Sequence, residues 1–151
     1  MLYSLSHALH VLAAVIWVGG MFFAYVCLRP VLGTKEPADR LGTWVQVFER
    51  FFPWVIASIG ILFLSGFHLI YHHGGFSDIG HYIWGMLTIA VLMTGIFKFL
   101  YLAPYRHLRR GVEESNHKVA GFALGTIRKL VATNLVLGIL VIVIATAFKS
   151  W

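Results

Sequence analysis

The chain has one cysteine, four prolines and six acidic residues among 151 positions. A lone thiol, Cys27, permits no internal disulfide and no Cys-X-X-Cys redox or zinc motif. Paired carboxylates, a Ser/His/Asp arrangement and a Gly-rich phosphate loop are missing, so hydrolase, kinase and thiol-redox chemistry have no residues to carry them. Charge is scarce as well. Asp, Glu, Lys and Arg make up 12% of the chain and hydrophobic residues 59%, a composition that would make a poor soluble globule and an ordinary polytopic membrane protein.

Four long uncharged runs fill that expectation: Met1 to Leu28, Phe51 to Ser77, Ile79 to Phe97 and Leu130 to Phe148. Each can cross a bilayer as a helix, since about 20 residues at a rise of 1.5 Å cover a hydrocarbon core about 30 Å thick. The fold class predicted is therefore all-α: an antiparallel bundle of four transmembrane helices forming a single domain over residues 1–151, with spans at about 5–28, 51–71, 81–101 and 128–148. Eleven of the twelve Lys and Arg residues lie between spans one and two or between spans three and four. The bias of these residues toward the cytoplasm puts both loops inside and leaves both termini, and the loop from about His72 to His81, outside (N-out/C-out). The net charge of +6 is then matched to anionic lipid headgroups of the bilayer, and nucleic acid is rejected as a partner. The first span lacks a positive n-region and a small-residue cleavage site, so it is expected to persist rather than act as a cleaved signal.

Local features set expected boundaries. Span one should end at Arg29-Pro30, followed by a solvated loop from Val31 to Glu49 containing a candidate amphipathic turn over Ala38 to Phe48. The short external loop implies that spans two and three are antiparallel neighbours. Ser58, Gly60, Ser65 and Gly66 in span two are small enough to permit close helix contact. Tyr105 to Lys118 reads as a basic loop, and Gly121 and Gly125 fall in a helical extension below span four.

Six of the eight histidines, His7, His10, His68, His72, His73 and His81, fall at the outer ends of the spans. Helix rise places His10 and His68 level, roughly 9 to 11 Å above the membrane centre. His7 and His72 stand one turn further out, and His73 and His81 at the water interface, like a funnel narrowing to a pair. The plain reading of His7, His72, His73 and His81 is that they are polar residues of a wet surface. For His10 and His68 that reading is weaker, because an ionisable group inside the bilayer is costly and marks a pathway, cofactor or ion site. Two chemistries use such a pair: axial ligation of a haem b between helices, and binding of copper, for which thioethers help hold the cuprous state. Met21, Met86 and Met93 are the methionines placed to assist, although methionine in an apolar helix is usually packing. Trp17 shares the stripe His10, Ala14, Trp17, Met21, Ala24, while Trp54, Trp84 and Trp151 suit packing and interfacial belts. At the inner side, Lys98, Arg128, Lys129 and Asn134 read as headgroup anchors or as a site for an anionic group such as a propionate or a quinone headgroup.

The run Leu9-His10-Val11-Leu12-Ala13-Ala14-Val15-Ile16-Trp17-Val18-Gly19-Gly20 resembles the first-helix signature of the CopD-like membrane proteins of copper resistance and transport. Leu28-Arg29-Pro30, Arg50-Phe51-Phe52-Pro53-Trp54, Ala103-Pro104-Tyr105-Arg106 and Ile127 to Val131 with Asn134-Leu135 and Leu137-Gly138 extend that resemblance over nearly the whole chain. It implies a multi-pass protein of the bacterial inner (cytoplasmic) membrane that handles copper, with a periplasmic copper donor and a homo-oligomer as open partners. The spacing of His10 and Trp17 is also similar to the first helix of HemJ-type protoporphyrinogen oxidase, a haem-linked membrane enzyme. The chain departs from that enzyme in span four, where Leu135 follows Asn134 in place of a glutamate. The leading expectation is copper binding through His10 and His68, with Trp17 beside them and His7, His72, His73 and His81 as accessory ligands or an access route, and copper passage from the periplasmic side. The alternatives are a b-type haem oxidoreductase with His10 and His68 as axial ligands, and a non-catalytic accessory subunit. A non-enzyme is preferred.

Overall fold

Apolar periodicity dictates helices throughout, and the computed structural model describes residues 1–148 as helices joined by short connectors. Trp151 lies outside the described residues. α1 (Leu2–Phe22) runs on through a π-helical segment (Phe23–Leu28) into the short α2 (Arg29–Leu32). The first span therefore does not stop at Pro30 as its sequence suggested. Proline lacks an N–H and its ring crowds the carbonyl four residues back; the wider π turn, in which the Arg29 N–H reaches the Ala24 carbonyl, lets the chain pass it.

α3 (Pro37–His72) has 36 residues, about 54 Å of helix, well beyond the thickness of a hydrocarbon core. Most of the expected solvated loop is thus helix. Pro37 needs no donor in the first turn, and Leu41, Trp44, Phe48, Phe52 and Val55 form one buried stripe at helical spacing. After the loop over residues 73–80 comes α4 (His81–Leu102), then α5 (Pro104–Glu113) and α6 (His117–Ala147). The Asn116 side chain caps α6 by accepting from the Val119 N–H at 3.2 Å. The segment read as a basic loop is consequently a helix too, one that buries Tyr105, Leu108 and Gly111. Gly111 is required there: a Cβ would come within 2.8 Å of the Ala120 backbone nitrogen of α6.

Four helical stretches, Leu2–Leu32, Pro37–His72, His81–Glu113 and His117–Ala147, are long and apolar enough to cross a membrane. Their many exposed large apolar side chains, Leu64, Tyr71, Val136 and Phe122 among them, suit a lipid-facing surface. Close backbone packing joins α3 to α1, α1 to α6 and α6 to α4. Two glycines allow it: the Phe51 ring lies where a Cβ of Gly20 would stand, and Val18 presses on Gly138 at 2.7 Å from the same position.

α3 and α4 are not the close neighbours that their short connection implied. Their backbones barely approach. The loop between them turns at Gly74 and Gly75, both at positive φ, and spans the gap instead of pinching it shut. Near the arginine-rich end the gap is filled by stacked aromatics: Phe52 meets Phe97 at 5.3 Å and Tyr105 at 4.8 Å between ring centroids, and Trp17 meets Phe97 at 6.4 Å. Toward the histidine-bearing end the bridging rings are exposed, Phe67 to Phe76 at 6.3 Å and Phe76 to Trp84 at 5.6 Å between centroids, and the splay leaves room inside the bundle.

Candidate functional site

That room is a cavity of about 290 Å³, bounded by α1, α3, α4 and α6. Aliphatic side chains make most of its wall. His10, Met86, Met93, Thr94 and Thr146 supply the heteroatoms, and Trp17 closes it below. Both threonine hydroxyls are already spent on their own helices, Thr94 donating to the Ala90 carbonyl and Thr146 to the Ile142 carbonyl, each at 2.8 Å. One imidazole and two thioethers remain as groups with a lone pair to offer, since the Trp17 indole N–H can only donate.

The imidazole is held in a defined state. His10 Nδ1 lies 2.9 Å from the hydroxyl oxygen of Ser65, on α3. That hydroxyl donates its own proton to the Ile61 carbonyl at 2.5 Å, as serine in an apolar helix must if it is not to leave a donor unsatisfied. Ser65 can then only accept from His10, which puts a proton on Nδ1, so that in the neutral ring the lone pair is on Nε2. Gly66 completes the seat, since a Cβ there would stand 3.3 Å from the imidazole edge. Ser65 and Gly66, legible in the sequence only as small packing residues, are thus what orient the ring.

The same contact corrects the expected level of the histidines. Tyr3 lies against His72, ring centroids 6.1 Å apart, seven residues outward on both helices from the contact of His10 with Ser65. This register sets His7 opposite His68, and places His68 about one turn, roughly 4.5 Å, further out than His10. His68 packs instead on His72 of its own helix at 4.6 Å, half-buried, with its Nδ1 buried and unpartnered. His73 caps the end of α3 by bonding the Leu69 carbonyl, and His7, His72, His73 and His81 are all exposed. Among the described residues no three of His, Cys, Asp and Glu converge on a common point. The six histidines therefore do not gather into one centre. A haem gripped between His10 and His68 would need both rings level across its plane, and neither this offset nor a cavity at the small end of the range for ligand pockets provides that.

The polar group of Lys98, Arg128, Lys129 and Asn134 divides as well. Asn134 is buried at 2% exposure and donates from Nδ2 to the Met93 carbonyl at 3.1 Å, so it ties α6 to α4. Lys98, Arg128 and Lys129 are all exposed, and Arg128 borders a separate cavity of about 390 Å³ with Arg29 and Arg40. The two cavities share no wall residue, and buried Met21, Phe52, Phe97 and Asn134 lie between them. Nothing in the sequence grouped these arginines, because α2, α3 and α6 bring them together from positions far apart.

The sequence profile of the family described as copper resistance protein D matches residues 45–148, more than two thirds of the chain. The chain belongs to the copper resistance protein D family. No curated protein and no solved structure matches it. Family membership and four membrane-length apolar helices together identify a multi-pass membrane protein of a copper-resistance family. The cavity at the histidine-bearing end offers an imidazole and two thioethers and no carboxylate; imidazole is a general ligand of transition metals including copper, and thioether sulfur is a soft ligand that favours Cu(I).

Proposed function

We propose that this protein binds Cu(I) within the outer half of the bundle and passes copper inward from the periplasmic face of the inner membrane. His10 Nε2 is the first ligand and Met86 its partner. The packing of Val18 against Gly138, which Met93 also approaches, sets Met86 near the height of His10 and Met93 about two turns deeper, toward the membrane centre. Met93 then serves as a second station rather than a ligand of the same ion. His7, His68 and His72 form the outward approach to the cavity. The N-out/C-out orientation that this requires is supported by the concentration of Lys and Arg in the two connecting regions at the opposite end. The buried layer of Met21, Phe52 and Phe97 blocks a continuous path, so transfer past Met93 requires these side chains to move.

The single observation that carries this reading is the relay from His10 to Ser65 to the Ile61 carbonyl, which holds the proton on Nδ1 of an imidazole bordering the same apolar cavity as Met86 and Met93. Metal-binding histidines have their second nitrogen held in this way. The test is competition for Cu(I) between a chromophoric chelator and the protein purified in detergent. One Cu(I) per chain is expected, with loss of binding in His10→Ala, clear weakening in Met86→Leu and a smaller change in His68→Ala. Equal affinity of the wild type and His10→Ala would overturn the assignment. A visible spectrum of the same sample with a sharp reduced haem band would replace copper by a b-type centre.

A further inference from the structure

The second cavity, at the opposite end of the bundle, has a different chemistry. Arg29 of α2, Arg40 of α3 and Arg128 of α6 border one space of about 390 Å³, and no Asp or Glu borders it. Among the described residues the one ion pair is Arg109 with Glu49, so none of these three guanidinium groups is neutralised by a carboxylate. Three like charges around one cavity repel each other, and an anion between them removes that cost. Arg29 is braced for such a role by the Tyr25 ring, 4.3 Å from its guanidinium carbon. The remaining wall includes Trp44, Phe48 and Ile127, all buried in the core, which suits an apolar tail next to an anionic head. Gly121 and Gly125 also border the space, and a Cβ at either meets nothing within 4 Å, so the glycines leave the volume open.

Depth selects the ligand class. Arg29 directly follows the first uncharged run and Arg128 lies two residues before the last, so both stand at the ends of spans, at headgroup height. Guanidinium forks match phosphate oxygens in pairs, and basic pockets between transmembrane helices on the cytoplasmic side take anionic lipid heads. We infer that this cavity is a binding site for the phosphate of an anionic phospholipid, held by Arg29, Arg40 and Arg128 with its glycerol and upper acyl region against Trp44 and Phe48. The site is independent of the copper reading, since the two cavities share no residue.

Native mass spectrometry of the detergent-purified protein with added phosphatidylglycerol, phosphatidylcholine or inorganic phosphate tests it. The wild type should retain phosphatidylglycerol in preference to phosphatidylcholine. Each Arg→Gln change should weaken retention about fivefold and the Arg29→Gln/Arg40→Gln/Arg128→Gln triple about a hundredfold. Gly125→Leu keeps every charge and fills the space, and should lose the lipid while helical content by circular dichroism is unchanged. Phosphatidylglycerol retained equally by the triple variant and Gly125→Leu overturns the site. Tight retention of inorganic phosphate with no preference for the lipid overturns the lipid as its source.

Discussion

Replacing Ser65 by alanine leaves every proposed copper ligand in place and removes only the group that sets the proton of His10. Ser65 is 7% exposed, and its hydroxyl oxygen takes the hydrogen bond from His10 Nδ1 at 2.9 Å. Without it the imidazole loses both its orientation and its bias toward the Nδ1–H tautomer, and a metal must then select the correct state at its own expense. Losing a group that orients a metal-bound histidine costs about 10- to 100-fold in affinity, or about 1.4 to 2.7 kcal/mol. The fold should scarcely notice. Side-chain hydrogen bonds between membrane helices average about 0.6 kcal/mol, because the separated helices find other partners. The assay is Cu(I) competition alongside thermal unfolding in the same detergent: Ser65→Ala should bind 10- to 100-fold more weakly with almost unchanged melting, and Ser65→Thr, which keeps a hydroxyl, should recover most of the loss. Unchanged Cu(I) affinity in Ser65→Ala, with binding still abolished in His10→Ala, would refute the tautomer argument and leave His10 as a ligand held by something else.

Three further outcomes follow from packing. Phe52→Ala removes a 4%-exposed ring that touches Phe48, Phe97, Tyr101 and Tyr105, and should destabilise the bundle by about 3 to 5 kcal/mol in a denaturation assay; a change under 1 kcal/mol would mean that the aromatic layer is not the core. Gly111→Ala should cost about 1 to 3 kcal/mol, because its Cβ would meet backbone of α6 that cannot rotate away, and melting no lower than the wild type would show that α5 and α6 do not pack this closely. Asn134→Leu breaks one hydrogen bond but also removes a buried Oδ1 that has no partner, so the two effects should nearly cancel; a loss of 2 kcal/mol or more would point to an unseen partner for that oxygen.

The spans and their number were legible because nineteen or more residues without charge have few options other than crossing a membrane. The connecting regions were not. Arg40, in the stretch read as a solvated loop, sits on a helix whose other face carries Leu41, Trp44 and Phe48, and charge on one face does not melt a helix that buries the opposite one. Pro30 misled for a similar reason, since a π turn absorbed the clash that would have ended a regular α-helix. At the site, residue type was readable for His10, Met86 and Met93, and rough height for His10. Register was not: one turn of relative slide between α1 and α3 decides whether His10 meets His68 or Ser65, and that slide is fixed by the close approach of Gly20 to Phe51, which no periodicity reveals. The arginine cavity was equally hidden, because its walls come from segments far apart in the chain, Arg29 and Arg128 being ninety-nine positions apart.

The central claim is tested most directly by X-ray absorption at the copper edge of the Cu(I)-loaded protein. The account predicts a mixed shell of imidazole nitrogen and thioether sulfur, with the nitrogen contribution lost in His10→Ala and the sulfur contribution reduced in Met86→Leu. A shell of imidazole nitrogen alone that survives His10→Ala and disappears in a His68→Ala/His72→Ala variant would contradict it, and would move the metal out of the cavity to the surface histidines.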